Sequence, residues 1–276
     1  VSGSIGLTSA LPAFENNGTV TINGGGVITV TRSSASNFGI FGVNGGANVT
    51  LNGLTITNGN AFLGGGVYND EGTLTISNST FSGNTALYGG GVYNYGGTLT
   101  VTNSTLSGNT TIFEGSAVYN DYGTVILTNS TLSGNTATSG SGSIYNGGTL
   151  TVTNSTFSGN TANFGGGIRN ANTLTVTNST FSGNTATSDG GGIFSLGGTL
   201  TVTNSTFSGN TANYGGGIYN ESTLTVTNST LSGNTANAAA GGNLYNSASV
   251  TLHNSITANA NSGGDCYHNS GTFTAQ

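Results

Sequence analysis

A chain of 276 residues with 50 glycines, 4% charged residues and a formal net charge of −6 is long enough for one or two domains, but its surface must be solvated by hydroxyls and amides. With Arg32 and Arg169 as its only strong cations it has no basic footprint for nucleic acid or anionic lipid, and a single cysteine excludes an internal disulfide framework and a cysteine-based zinc site. No apolar run reaches the roughly 20 residues of a membrane-spanning helix.

From Val1 onward there is neither a basic n-region nor an apolar h-region, so any signal peptide is expected to lie outside this sequence. Residues 1–48 are assigned to irregular entry coils. At residue 49 a period sets in: "VTLNGLTITNGNAFLGGGVYN" (49–69) matches "LTISNSTFSGNTALYGGGVYN" (74–94) at an offset of 25. Asn-Ser-Thr then recurs at Asn78, Asn103, Asn129, Asn154, Asn178, Asn204 and Asn228, with spacings of 24 to 26. The regular repeats run to 259, and 260–276 read as a C-terminal coil or tail of the same continuous domain.

Each repeat divides into three strand-like segments, as in "TLTVTN", "STFSGN" and "GGGIYN" of residues 199–220. Strict alternation in the first is strand period, while abundant Gly and Thr and the lack of a 3.6-residue pattern exclude helix. The fold expected is all-β: a right-handed single-stranded parallel β-helix of roughly ten to eleven coils, with about 25 residues and three short strands in each. At about 4.8 Å per coil the rod would be about 50 Å long.

Alternation assigns faces. Leu99 and Val101 with their equivalents, the Phe81 to Leu231 column, and the Val67 to Leu244 column point inward. By the same parity Asn103 is expected inside, so Asn78, Asn103, Asn129, Asn154, Asn178, Asn204 and Asn228 are read as an internal amide ladder in preference to glycan acceptors. Two further ladders are expected, one from Asn84, Asn109, Asn135, Asn160, Asn184, Asn210 and Asn234, the other from Asn69, Asn94, Asn120, Asn146, Asn170, Asn220 and Asn246. Asn17-Gly-Thr and Asn48-Val-Thr are the better glycosylation sequons.

"FSGN" at 81–84, 157–160, 181–184 and 207–210, paired with "GGGI" at 165–168, 190–193 and 215–218, resembles the F-x-x-N and G-G-A/G-I/V repeats of the polymorphic outer-membrane protein family. Those repeats typify bacterial autotransporter passengers. The resemblance spans about residues 49–259 and implies a parallel β-helix displayed outside the cell, commonly as an adhesin or stalk. The first 48 residues are similar to the entry segment of such β-helices. "EGSAVYN" (114–120) and "SGSIYN" (141–146) depart from the motif, and no membrane barrel follows.

Parallel β-helices also include pectin-cleaving enzymes, but acid and base work needs paired carboxylates. Asp70, Asp121 and Glu221 fall two and four coils apart. A non-enzymatic chain without cofactor or metal is therefore expected. His253, His268, Asp265 and Cys266 gather near the C-terminus in sequence, where a solvated coil is the preferred reading; Cys266 can alternatively form an intermolecular disulfide.

Two outward columns carry the binding hypotheses. Thr98, Thr100, Thr102, Thr149, Thr151, Thr153, Thr199, Thr201 and Thr203 belong to a flat hydroxyl array, which resembles the ice-binding face of β-solenoid antifreeze proteins. Tyr68, Tyr93, Tyr119, Tyr145, Tyr219 and Tyr245, with Arg169 and Phe194 in the same column and Tyr88, Phe113, Phe164 and Tyr214 beside it, form an exposed aromatic stripe suited to self-stacking, sugars or a lateral interface. Both ends read as uncapped, so head-to-tail stacking would continue the ladders into a second copy. The expectation is an extracellular structural protein, a fibre subunit or stalk. Its partners would be its own copies or neighbouring domains of a larger surface protein, with a glycan-binding adhesin and an ice-binding protein as the rival functions.

Overall fold

The computed structural model describes residues 3–15 and 18–276; Val1 and the Asn17 sequon lie outside the described residues. The chain winds as a right-handed parallel β-solenoid of about 11 turns with about 25 residues in each. One coil illustrates the rest: Thr199–Thr203, Thr206–Ser208, Thr211–Tyr214 and Ile218–Asn220 are its strands. That is four strands per coil, one more than the sequence suggested.

These strands build three sheets. Among the described residues the first, of 20 strands, takes the two leading strands of each regular coil; the others have 10 and 8 strands. Each strand pairs in parallel with its equivalent one coil away, so identical residues align: Leu174 with Leu200 and Leu200 with Leu224, Phe181 with Phe207, Ile193 with Ile218. Nearer the N-terminus the 14-residue strand Thr19–Arg32 spans both leading positions, and its pairing with Asn48–Thr57 slips between Asn23 and Ile28.

The unexpected strand comes from the "NTANY" segment and forms the 8-stranded sheet. It lacks an inward large residue, and its inward position is held by Ala86, Ala137, Ala162, Ala186, Ala212 and Ala236, all buried, with Thr111 in one coil. The recurrence of Ala two residues after the Asn of "SGN" was the only signal of it, and Ala has weak strand preference. Opposite this thin wall the core is filled by the three apolar columns. Phe157, Phe181 and Phe207 are fully buried and stack at 4.6 Å with their rings nearly parallel.

Candidate functional site

The kink within the first sheet decides which polar residues face the core. At the end of each leading strand the Asn of Asn-Ser-Thr adopts a left-handed conformation, with φ of 49° or 50° at Asn78, Asn103, Asn129, Asn154, Asn178, Asn204 and Asn228. A residue at positive φ breaks strand alternation, and Asn tolerates it better than other non-glycine residues. Thr102 and Asn103 therefore both lie outside, and Ser104 turns in. The expected internal ladder of these seven asparagines is thus corrected: all seven are exposed. What amide bonding they make is on the outside and intermittent, as Asn129 Nδ2 to Asn103 Oδ1 and Asn204 Nδ2 to Asn178 Oδ1, both 3.2 Å.

The inward place belongs to the serines. Ser79, Ser104, Ser130, Ser155, Ser179, Ser205 and Ser229 are buried, and each hydroxyl does two tasks. Ser155 Oγ donates to Thr153 O at 2.8 Å and accepts the Ser130 N–H at 3.1 Å, so the backbone of each kink is satisfied from the following coil. Sequence parity missed this serine ladder because it assumed unbroken alternation through the Asn.

The "SGN" column is an internal ladder with every amide hydrogen used. Asn84, Asn109, Asn135, Asn160, Asn184, Asn210 and Asn234 are fully buried. Asn160 Nδ2 donates to Asn184 Oδ1 at 2.9 Å and to Leu132 O at 3.0 Å, while its Oδ1 accepts both the N–H and the Nδ2 hydrogen of Asn135, each at 3.0 Å. At the C-terminal side the column passes through Asn243, whose Nδ2 donates to Asp265 Oδ1 at 3.1 Å.

The third column joins Asn69, Asn94, Asn120, Asn146 and Asn170 by Nδ2 to Oδ1 bonds of 2.6 to 2.9 Å. Ser195 then replaces the next Asn. Asn170 Nδ2 reaches Ser195 Oγ at 3.3 Å, Ser195 Oγ meets Ser222 Oγ at 2.8 Å, and Ser222 Oγ donates to Asn220 Oδ1 at 3.0 Å. A pair of hydroxyls thus bridges a missing amide, and the ladder resumes to Asn246. Because Asn246 Oδ1 accepts from Asn220, its Nδ2 faces His268 Nδ1 at 3.0 Å, which must then be the acceptor. Both amide ladders end on a different residue type, Asp265 and His268.

On the outside, Thr149, Thr151 and Thr153 align with Thr173, Thr175 and Thr177, and these with Thr199, Thr201 and Thr203. Thr98, Thr100 and Thr102 belong to the same face, but the neighbour of Thr100 is Ile126, 39% exposed, so the middle row of hydroxyls is interrupted there.

The aromatic column self-stacks. Ring centroids lie 4.8 Å apart for Tyr93 and Tyr119, 4.7 Å for Tyr119 and Tyr145, 4.5 Å for Tyr219 and Tyr245, with Tyr68 5.5 Å from Tyr93. Tyr88, Phe113, Phe164 and Tyr214 flank these rings, so the stripe is less open than expected: Tyr93 and Phe194 are each 8% exposed. Burial, reinforced by nearby carboxylates, holds the Tyr93, Tyr119 and Tyr219 phenols protonated well above the ordinary value of 10.0. Arg169 takes the place of a ring, lies 5.6 Å from the Tyr145 centroid and pairs with Glu114 two coils away.

Of the acids, Asp121 Oδ2 accepts from Tyr93 at 3.4 Å and Glu221 Oε1 from Tyr219 at 3.1 Å, so each serves the aromatic face. Cys266 is free and exposed, its Sγ 3.2 Å from Thr257 Oγ1.

Comparison with known proteins agrees with this geometry. The family model described as right handed beta helix region matches residues 118–276, and the Chlamydia polymorphic membrane protein repeat matches residues 78–95. No curated protein and no solved structure matches the chain. The beta-helix match covers more than half of a chain that coils as a parallel solenoid along its described length, and the protein accordingly belongs to the right-handed β-helix family.

Proposed function

We propose that this protein is a non-enzymatic β-solenoid of the cell surface, acting as a stalk that holds neighbouring domains away from the cell. One observation carries the reading: the ladders of the first sheet run coil upon coil from Thr19 to Ala275, so the coils form one continuous rod. Such a rod is stiff because bending it would stretch backbone bonds and buried amide bonds on one side together. The polymorphic membrane protein repeat supports display outside the cell. Among the two structural uses expected, the stalk is favoured over the fibre because Asp265 and His268 interrupt the amide ladders at the C-terminal side.

Negative-stain electron microscopy of the purified chain at neutral pH, with and without reductant, tests this. Separate rods of about 50 Å and constant width are expected. Fibres one solenoid wide would replace the stalk by a filament subunit, and dimers lost on reduction would assign Cys266 to the contact. Compact particles would remove the reading altogether.

A second reading is favoured by the register of the hydroxyl face. Thr173, Thr175 and Thr177 have Thr on both neighbouring coils, an ordered array suited to ice or another crystalline surface. Thermal hysteresis would support it, and its absence would leave the stalk alone. The glycan-gripping alternative is weaker, because the rings that would stack on sugar already cover one another.

A further inference from the structure

The structure assigns a modification ridge to the outer corner of the rod: Asn78, Asn103, Asn129, Asn154, Asn178, Asn204 and Asn228 are acceptors for N-linked sugar on the folded protein. Each is followed by Ser and Thr, the Asn-x-Ser/Thr acceptor pattern, and each is exposed at a left-handed kink that lifts its side chain off the sheet. The Thr two residues on, such as Thr156 after Asn154, also faces outward, so both side chains of the pattern lie on the same surface.

The chain supplies its own control. Asn109-Thr-Thr111 and Asn220-Glu-Ser222 satisfy the same pattern, but both asparagines are fully buried rungs of the internal ladders. Asn109 Nδ2 donates to Phe81 O at 3.0 Å and to Asn135 Oδ1 at 3.1 Å, so neither hydrogen is free. On the outer corner Asn129 and Asn204 each direct an Nδ2 hydrogen to a neighbouring Asn, a bond that water or an enzyme can replace. Fold position, not the pattern alone, separates the two sets.

The step needs an activated sugar, such as a nucleoside-diphosphate hexose, and a transferase reading Asn-x-Ser/Thr. The Asn Nδ2 forms a bond to the sugar C1 as the C1–O bond to the diphosphate breaks. The nucleoside diphosphate leaves with that electron pair, and the amide nitrogen gives one proton to the transferase's base. Sugars on successive coils would sit about 4.8 Å apart, making a continuous polar ridge along the rod.

The test is to incubate the folded full chain, and separately the urea-unfolded chain after rapid dilution, with UDP-glucose and a soluble N-glycosyltransferase, and to map hexose by peptide mass spectrometry. The folded chain should carry hexose at several of the seven outer asparagines and none at Asn109 or Asn220; the unfolded chain should gain those two as well. Asn154→Gly, which suits the left-handed kink, should remove one site and leave the melting temperature unchanged. The assignment is overturned if the folded chain stays unmodified while the unfolded chain reacts. It also fails if Asn109 and Asn220 react in the folded state, or if neither form is an acceptor.

Discussion

Asn154 and Asn160 stand in the same coil, carry the same side chain and repeat with the same period, yet one is exposed and the other fully buried. The backbone makes the difference. Asn154 sits at φ 50°, where its short amide is tolerated and its side chain is expelled, while Asn160 stays inside and satisfies its neighbours on both sides. A repeated asparagine in a solenoid can therefore answer to either of two demands, a turn conformation or a buried ladder, and repetition alone does not say which.

Substitution should separate the two. Asn160→Leu would leave the Asn135 N–H and Nδ2, the Leu132 carbonyl and the Asn184 Oδ1 each short of a partner, and is expected to cost about 4 kcal/mol in urea or thermal unfolding. A loss below about 1 kcal/mol would show that the ladder is not load-sharing. Ser155→Ala, which orphans the Ser130 N–H, is expected to cost about 2 kcal/mol. Asn154→Val places a β-branched residue at positive φ and should cost about 1 to 2 kcal/mol by strain, whereas Asn154→Gly should be neutral within a few tenths. If instead both exposed variants lose as much as Asn160→Leu, the distinction between the columns collapses.

The smallest effect at neutral pH concerns the aromatic face. The Tyr93, Tyr119 and Tyr219 phenols are held protonated in the folded rod by burial, so their folded values lie above the unfolded value of 10.0. Stability from this source is complete below pH 10 and is lost as pH rises beyond it, because the unfolded chain releases those protons first. Unfolding midpoints should stay level up to about pH 10 and fall above it. Replacing all three by Phe should flatten the alkaline limb.

Much of the architecture was legible because its signals are local and repeated. Period, strand alternation and the Phe81, Leu99 and Val67 columns follow from side chains that cannot be left in water. Reading Asn103 as internal failed at one residue, since alternation holds only while φ stays extended, and no side chain announces a left-handed turn as strongly as glycine does. The small-residue strand at Thr211–Tyr214 was hidden for another reason: Ala212 buries too little surface to mark a core position without neighbours.

By itself the sequence determined the coil length, the three apolar columns and the presence of buried amides, because hydrophobic burial and in-register stacking act on each residue type wherever it recurs. Only the tertiary structure decided which polar residue of Asn-Ser-Thr enters the core, how Ser195 and Ser222 bridge a missing rung, and that Asp265 and His268 end the ladders. Those outcomes depend on backbone direction at a corner and on hydrogen-bond partners a whole coil away, and neither is written in local residue preference.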